Sequence, residues 1–147
     1  MKSQYKIAKA TNQQRNLIIP LLVAEGLPVK DLPESLDNFL VSLEGNAVTG
    51  VIGLERYENY GLLRSLVIDK KHRNKNIATA LVKELESMAV SLGIDSIYLL
   101  TETAPRYFEG KGYQKIERSE VPKPVQGSSE FSSVCPVSAI VMKKSIQ

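Results

Sequence analysis

Five basic residues stand within six positions, just before the clearest amphipathic helix of the sequence. They are Lys70, Lys71, His72, Arg73 and Lys75. The first turn of a helix presents backbone N–H groups without intrahelical partners, together with the positive end of the helix dipole. Such a turn binds anions, phosphate groups in particular. A solvated turn is the plain alternative for a charged run of this kind.

Four polar residues at strand-like positions are candidates for chemistry on a substrate. Glu55 is a candidate general base, or else a solvated edge carboxylate. Arg64 lies on the next predicted strand, where a charge is costly unless it is paired. It either binds a carboxylate or another oxyanion, or pairs with Glu55 for structure. Ser65, a third catalytic candidate, and Thr101 offer hydroxyls to a substrate, unless they are plain strand hydroxyls.

Hydrophobic patterns predict the elements that must position these residues. Alternation and apolar runs predict strands at 5–9, 38–44, 47–57, 60–69, 94–100, 112–118 and 137–143. Apolar spacing and caps predict helices from Thr11 or Asn12 to about Glu25 with a kink or break at Pro20, at 32–36, at 77–92 and at 105–111. Gly45 and Asn46 suit a tight primed turn between two strands. Gly53 indicates a bulge or a close backbone approach, and 121–133 is predicted to be a long loop.

This order of elements predicts an α/β protein with a mixed sheet (α+β). Only 60–100 forms an evident parallel β-α-β unit, and the remaining strands read as antiparallel. Helices are expected on both faces of the sheet. A chain of 147 residues fits a single domain covering 1–147.

Composition excludes several other classes of function. One cysteine and one histidine make a metal site improbable, so no metal is expected. The longest apolar run, 17–24, is too short to span a bilayer, and no signal-peptide core is visible, so we expect a cytoplasmic protein without membrane contact. A net charge of +3 is too weak to argue for nucleic acid. The basic run also lacks the interleaved aromatic residues of an oligonucleotide binder.

The basic turn resembles the phosphate-binding motif of the GNAT superfamily of acetyltransferases. That motif reads Arg or Gln, two residues, Gly, one residue, then Gly or Ala. Arg73 and Ala78 match it, whereas Asn76 stands at the usual Gly; Asn tolerates a positive φ better than other non-glycine residues. The strand 62–68 and the block 107–113 extend the resemblance, which covers nearly the whole chain.

The resemblance implies acetyl-CoA as cosubstrate and direct attack of an amine on its thioester. The implied cofactor-binding residues are Leu66, Val67, Ile68, Arg73, Asn74, Lys75, Asn76, Ile77, Ala78, Thr79 and Phe108. In the family, the strand before the phosphate turn carries a bulge, and its backbone, here at Leu66 and Ile68, bonds the pantetheine arm. The strand 94–101 would diverge from it and leave a slot for the cofactor.

Phe108 departs from the family pattern. It stands where a Tyr usually serves as the general acid, and a Phe side chain has no proton to give. The neighbouring Tyr107 would point about 100° away on a helix. Water or the leaving ammonium would then protonate the thiolate, and Phe108 would pack against the pantetheine or the core.

Three blocks give a narrower resemblance, to arsenic-resistance N-acetyltransferases and to glutamate-type amino-acid N-acetyltransferases. They are 63–67, 99–104 and 129–139. The implied acceptor is a small, amino-acid-like and acidic amine. Its implied contacts are Arg64, Thr101, Ser129, Glu130 and Phe131. Cys135 is interpreted as a buried structural residue, since one thiolate is a poor site for arsenic; a homodimer is possible by analogy with the superfamily.

A second hypothesis from another class remains open. The chain would be a GNAT-shaped acyl-CoA sensor or partner-binding module with weak or no catalysis. Phe108 favours this module, whereas Glu55 and Arg64 together favour the enzyme.

Overall fold

A computed structural model describes residues 5–27, 29, 32–73, 76–101, 104–128 and 139–146. Its strands are β1 (Lys6–Lys9), β2 (Phe39–Glu44), β3 (Ala47–Tyr57), β4 (Tyr60–Ile68), β5 (Ser96–Thr101), β6 (Gln114–Ile116) and β7 (Ile140–Ser145). Its α-helices are α1 (Arg15–Ala24), α2 (Ile77–Ser91), α3 (Pro105–Glu109) and α4 (Lys123–Gln126). Short 3-10 turns occupy Asn12–Gln14, Lys70–His72 and Arg118–Glu120.

The strands form one seven-stranded sheet in the order β1-β2-β3-β4-β5-β7-β6. The pair β4–β5 is parallel, and the pairs β1–β2, β2–β3, β5–β7 and β6–β7 are antiparallel. The predicted mixed sheet with a parallel β-α-β unit at β4-α2-β5 is therefore confirmed. Chain contacts separate two compact units, 1–54 with 65–88 and 55–64 with 89–147. The single domain over 1–147 stays a prediction.

In the first unit, α1, β2 and β3 contribute residues to one apolar cluster. Ile18 and Leu22 lie one helical turn apart on α1 and are fully buried in it. Pro20 lies between them, and α1 continues through it to Ala24, so the predicted break at this position is wrong. The helix begins only five residues before Pro20, so the missing N–H costs a single bond in its first turns.

Two glycines shape the β2–β3 hairpin. Gly45 has a φ of +63°, as the first position of a primed hairpin turn requires. Gly53 lies opposite Phe39 in the ladder. A Cβ on Gly53 would come within 3.0 Å of three atoms of the Phe39 ring. Of the two predictions for Gly53, the close approach is the one confirmed.

The second unit has its own apolar cluster. It consists of Leu62, Tyr98, Val121, Val125 and Val141. Val125 lies on α4, inside the stretch that was predicted as a loop. That prediction is wrong for Lys123–Gln126, because burial of Val121 and Val125 stabilises a helical turn despite the neighbouring prolines.

The predicted helical turn at 32–36 is also wrong, since no helix covers these residues. Pro33 has no N–H and disfavours the helical conformation at Leu32. The guanidinium of Arg15 donates instead to the carbonyls of Pro33 and Glu34, at 2.9 Å for Glu34. Among the described residues, no helix combines the length and apolar character needed to cross a membrane.

Candidate active site

The turn between β4 and α2 begins at Asp69. Its N–H donates to the carbonyl of Thr49 at 2.8 Å, which fixes the end of β4. Its carboxylate accepts from the N–H of Lys71 at 3.2 Å and caps the 3-10 turn Lys70–His72. The described part of the basic run, up to Arg73, therefore forms a capped turn at the end of β4.

Asn76 has the backbone conformation that the motif requires. Its φ is +60°, in the left-handed region that favours glycine. It directly precedes Ile77, the first residue of α2, and its carbonyl accepts from the N–H of Ala80 at 3.1 Å. Ile77, Ala78 and Thr79 thus form the first turn of a 15-residue helix, the end of a helix that favours anions. Asn74 and Lys75 lie outside the described residues.

Two side chains of this turn, Arg73 and His72, lie beside carboxylates. Arg73 Nη2 lies 3.0 Å from Glu25 Oε1, and both side chains are partly exposed. Arg73 Nε also donates to the carbonyl of Ile68 at 3.4 Å. His72 Nε2 lies 3.5 Å from Glu44 Oε2. These carboxylates offset part of the positive charge of the turn.

Within β4, the backbone of Ser65 departs from the extended conformation, with a φ of +62°. A left-handed non-glycine residue inside a strand is strained by roughly 1–2 kcal/mol, and such strain gathers at bulges and functional sites. The irregularity falls where the resemblance implies a bulge. After it, Val67 is buried in the first unit's core, while Leu66 and Ile68 are partly buried.

Glu55, Tyr57 and Arg64 form a polar cluster in the second unit. Arg64 Nη1 donates to Glu55 Oε2 at 2.8 Å, and Tyr57 Oη donates to Glu55 Oε1. The Arg64 side chain is 0% exposed, and that of Glu55 is 14% exposed. Of the two interpretations of Glu55, the solvated edge carboxylate is wrong, because a buried arginine holds it. The structure therefore brings Glu55 and Arg64 together, as one interpretation predicted.

Thr101 precedes the short helix α3, and Phe108 lies within it. Thr101 Oγ1 accepts from the N–H of Ala104 at 3.0 Å, just before α3. Phe108 is buried between two aromatic residues, with ring centroids 5.3 Å from Tyr107 and 5.6 Å from Tyr113. Packing of Phe108 in an aromatic core is one of its two predicted environments.

The parallel ladder between β4 and β5 is short. It covers Tyr60↔Ser96, Gly61↔Ile97 and Leu62↔Tyr98. Both strands continue beyond Leu62 and Tyr98, and β5 remains paired with β7 as far as Thr101. The parallel ladder between the described residues of β4 and β5 thus ends at Leu62↔Tyr98, and the predicted divergence of the two strands stays a prediction.

Sequence reasoning missed two residues of the candidate site. Tyr57 lies two positions after Glu55, so the period of a strand places both on one face. That signal was available. No local sequence pattern predicts that Glu25 is part of the site, because its partner Arg73 lies far along the chain. The predicted contacts Ser129, Glu130 and Phe131 lie outside the described residues, as does Cys135. No cluster of metal-binding side chains occurs in the part of the chain that the structure describes.

Solved structures share this fold. N-acetylglutamate synthase from Neisseria gonorrhoeae, complexed with coenzyme A and N-acetyl-glutamate, superposes with a TM-score of 0.85 at 14% identity, over 100% of this chain and 36% of that one. Rv2747 from Mycobacterium tuberculosis, in complex with CoA and NLQ, gives 0.81 at 20% identity over 95% and 98%. A GNAT-family acetyltransferase from Staphylococcus aureus gives 0.77 at 20% identity over 97% and 99%. The fold is that of the GNAT acetyltransferases.

Sequence comparison agrees with the fold. The model of the acetyltransferase (GNAT) family matches residues 13–113, so the chain belongs to this family. An uncharacterized N-acetyltransferase of Chlorobaculum tepidum is 26% identical over 98 residues. This match spans 66% of the present chain and 63% of the relative.

Proposed function

We propose that this protein is an N-acetyltransferase that moves the acetyl group of acetyl-CoA to the amine of a small molecule. The observation that carries the proposal is the positive φ of Asn76 at the start of α2, directly after the basic turn. Family membership and neighbours crystallised with coenzyme A support the same cosubstrate.

The diphosphate of the cosubstrate would lie at the first turn of α2. Ile77, Ala78 and Thr79 would place the positive end of the helix dipole beside it, and each favourable interaction of an anion with the dipole is worth about 0.3–2 kcal/mol. Arg73, Asn74 and Lys75 would add charge and hydrogen bonds, with Asn76 shaping the turn. The backbone of Leu66, Val67 and Ile68 would bond the pantetheine arm, and Phe108 would complete the apolar surroundings.

The acceptor amine must lose a proton before it attacks. Glu55 is the proposed base, because a carboxylate has about four lone-pair sites and the contacts with Tyr57 and Arg64 use two. An α-amine titrates near 8 and an alkylamine near 10.4, so an α-amine needs about 3 kcal/mol less to become neutral at a given pH. The leaving thiolate takes its proton from water or from the cationic nitrogen that forms when the amine attacks the thioester, since Phe108 has none.

The acceptor is proposed to be amino-acid-like and acidic, consistent with the N-acetyl-glutamate complex of the gonococcal neighbour. Its predicted contacts are Arg64, Ser65, Thr101, Ser129, Glu130 and Phe131. Arg64 is fully buried on Glu55, so direct contact with a substrate carboxylate stays a prediction. An arsenical amino-acid analogue is the acceptor that would test the relation to arsenic resistance.

Thiol release from acetyl-CoA tests the activity. The panel contains acidic, neutral and basic amino acids, simple alkylamines and an arsenical analogue, with an acceptor-free blank. Acceptor-dependent release, with acetylated product detected by mass, is the expected result. Binding of coenzyme A without turnover of any amine would instead support the second candidate, an acyl-CoA sensor or partner-binding module, which the buried Phe108 favours.

Two further expectations need separate measurements. Light scattering tests whether the protein forms a homodimer. Fractionation of cells that produce the full-length protein tests the expected cytoplasmic location and the absence of membrane binding.

A further inference from the structure

The proposed reaction assigns no role to Tyr57, which contacts the proposed base. Its hydroxyl donates a hydrogen bond to Glu55 Oε1, while Arg64 Nη1 donates to Oε2 at 2.8 Å. Each oxygen of the Glu55 carboxylate is therefore held by a different donor. Together the two donors fix both the position and the plane of the carboxylate.

Both donor side chains are held in place by their surroundings. The side chain of Arg64 is 0% exposed. The ring of Tyr57 is partly buried and packs against the apolar cluster of the second unit, which contains Leu62 and Tyr98. A Tyr side chain has only two χ angles to fix, so its hydroxyl is a rigid donor once the ring is packed.

Glu55 is not fully enclosed. Its side chain is 14% exposed, and the two described hydrogen bonds leave lone pairs of the carboxylate unused. A general base must lie within hydrogen-bond reach of the proton it removes, so its rate contribution depends on orientation. A carboxylate whose two oxygens are both held, in a side chain that keeps some exposure, suits that role.

We propose that Tyr57 is a positioning residue that acts through Glu55, holding its carboxylate so that a free lone pair faces the amine of the acceptor. This inference rests on the proposed acetyltransferase function. Tyr57 itself undergoes no chemistry: the amine proton moves to Glu55, and Tyr57 keeps its own. A role limited to stability is the alternative.

The chain offers a matched control in Tyr60. Tyr60 packs against the same apolar cluster and lies edge-on to Tyr98, with ring centroids 6.0 Å apart. Tyr57→Phe removes the hydroxyl from Glu55 and leaves the ring in place. Tyr60→Phe removes a hydroxyl from a similar environment, and the described contacts place no Tyr60 bond on Glu55.

The first measurement is acetyl transfer to amines of increasing basicity at one pH. We expect Tyr57→Phe to lower kcat about tenfold, a part of the 10²- to 10⁴-fold that a general base supplies, with KM for acetyl-CoA unchanged. The loss should be larger for basic alkylamines than for α-amines, because basic amines depend more on the base. Tyr60→Phe should retain wild-type rates.

The second measurement is a double-mutant cycle with Glu55→Gln. If Tyr57 acts through Glu55, Tyr57→Phe has no further effect in the Glu55→Gln background. Equal losses in both backgrounds, or a loss that is the same for every amine, would overturn the positioning role. Wild-type protein without any thiol release would overturn the proposed function as well, which separates the two failures.

Discussion

Arg73 and Glu25 form an ion pair, with Nη2 and Oε1 3.0 Å apart, at the turn proposed to hold the diphosphate of coenzyme A. The carboxylate comes from the residue that follows α1. An arginine already engaged by a carboxylate is less available to a phosphate, and the carboxylate itself repels one. Glu25 is therefore expected to weaken cofactor binding.

Replacement of Glu25 by Gln should tighten binding of coenzyme A. An exposed ion pair is worth about 0.2–1 kcal/mol, so the dissociation constant should fall by up to about fivefold. Calorimetric titration at low salt measures the effect, which should shrink as salt is added. Glu84→Gln, an equal charge change at an exposed position on α2, is the control; an equal gain from both variants would refute a specific role for Glu25.

The conformation of Asn76 gives a second prediction. Asn76→Val forces a β-branched side chain into the left-handed region, which costs about 1–2 kcal/mol of unfolding free energy. It should also weaken coenzyme A binding, because the first turn of α2 would be displaced. Asn76→Gly keeps the conformation accessible and should bind like the wild type. Urea unfolding and calorimetry check both parts; unchanged binding by the Val variant would contradict the proposed diphosphate site.

The buried pair between Arg64 and Glu55 predicts a large effect on stability. Arg64→Leu leaves the Glu55 carboxylate without its cation, and breaking a buried pair costs about 3–5 kcal/mol. Arg56→Leu is the matched control, because Arg56 is exposed and donates only to the carbonyl of Glu58 among its described contacts. It should change stability by less than about 0.5 kcal/mol. Similar urea midpoints for the two variants would show that the pair contributes little.

Tyr98 predicts a dependence of stability on alkaline pH. Burial, and next the neighbouring Tyr60, raises the pKa of Tyr98 above its ordinary value of 10.0. The unfolded chain then loses this proton first, so the unfolding free energy falls as pH rises past about 10. Below that pH the contribution is fully present. Tyr98→Phe should show a shallower decline between pH 9 and 11 by chemical denaturation, and an identical slope would contradict the shift.

Local pattern made much of the fold predictable. Ile77, Leu81 and Leu85 repeat with the period of a helix, and α2 ends within one residue of its predicted limit. The left-handed Asn76 agrees with the motif, because Asn76 stands where the motif has Gly. Such features depend on a few neighbouring residues.

Long-range contacts explain what could not be predicted. Residues 32–36 are not helical, in part because the guanidinium of Arg15 donates hydrogen bonds to the carbonyls of Pro33 and Glu34. The helix α4 forms where Val125 packs on a distant cluster, in a stretch whose composition indicates a loop. The pairing of Glu25 with Arg73 likewise has no signature in either segment.

The contact of Gly53 with the Phe39 ring also constrains how this chain can diverge. Any side chain at position 53 would overlap the ring of Phe39, which is buried and has little room to move. Single substitutions at 53 are therefore disfavoured until the opposite residue becomes smaller. Among related sequences, the two positions should covary, with a side chain at 53 accompanied by a residue smaller than Phe at 39.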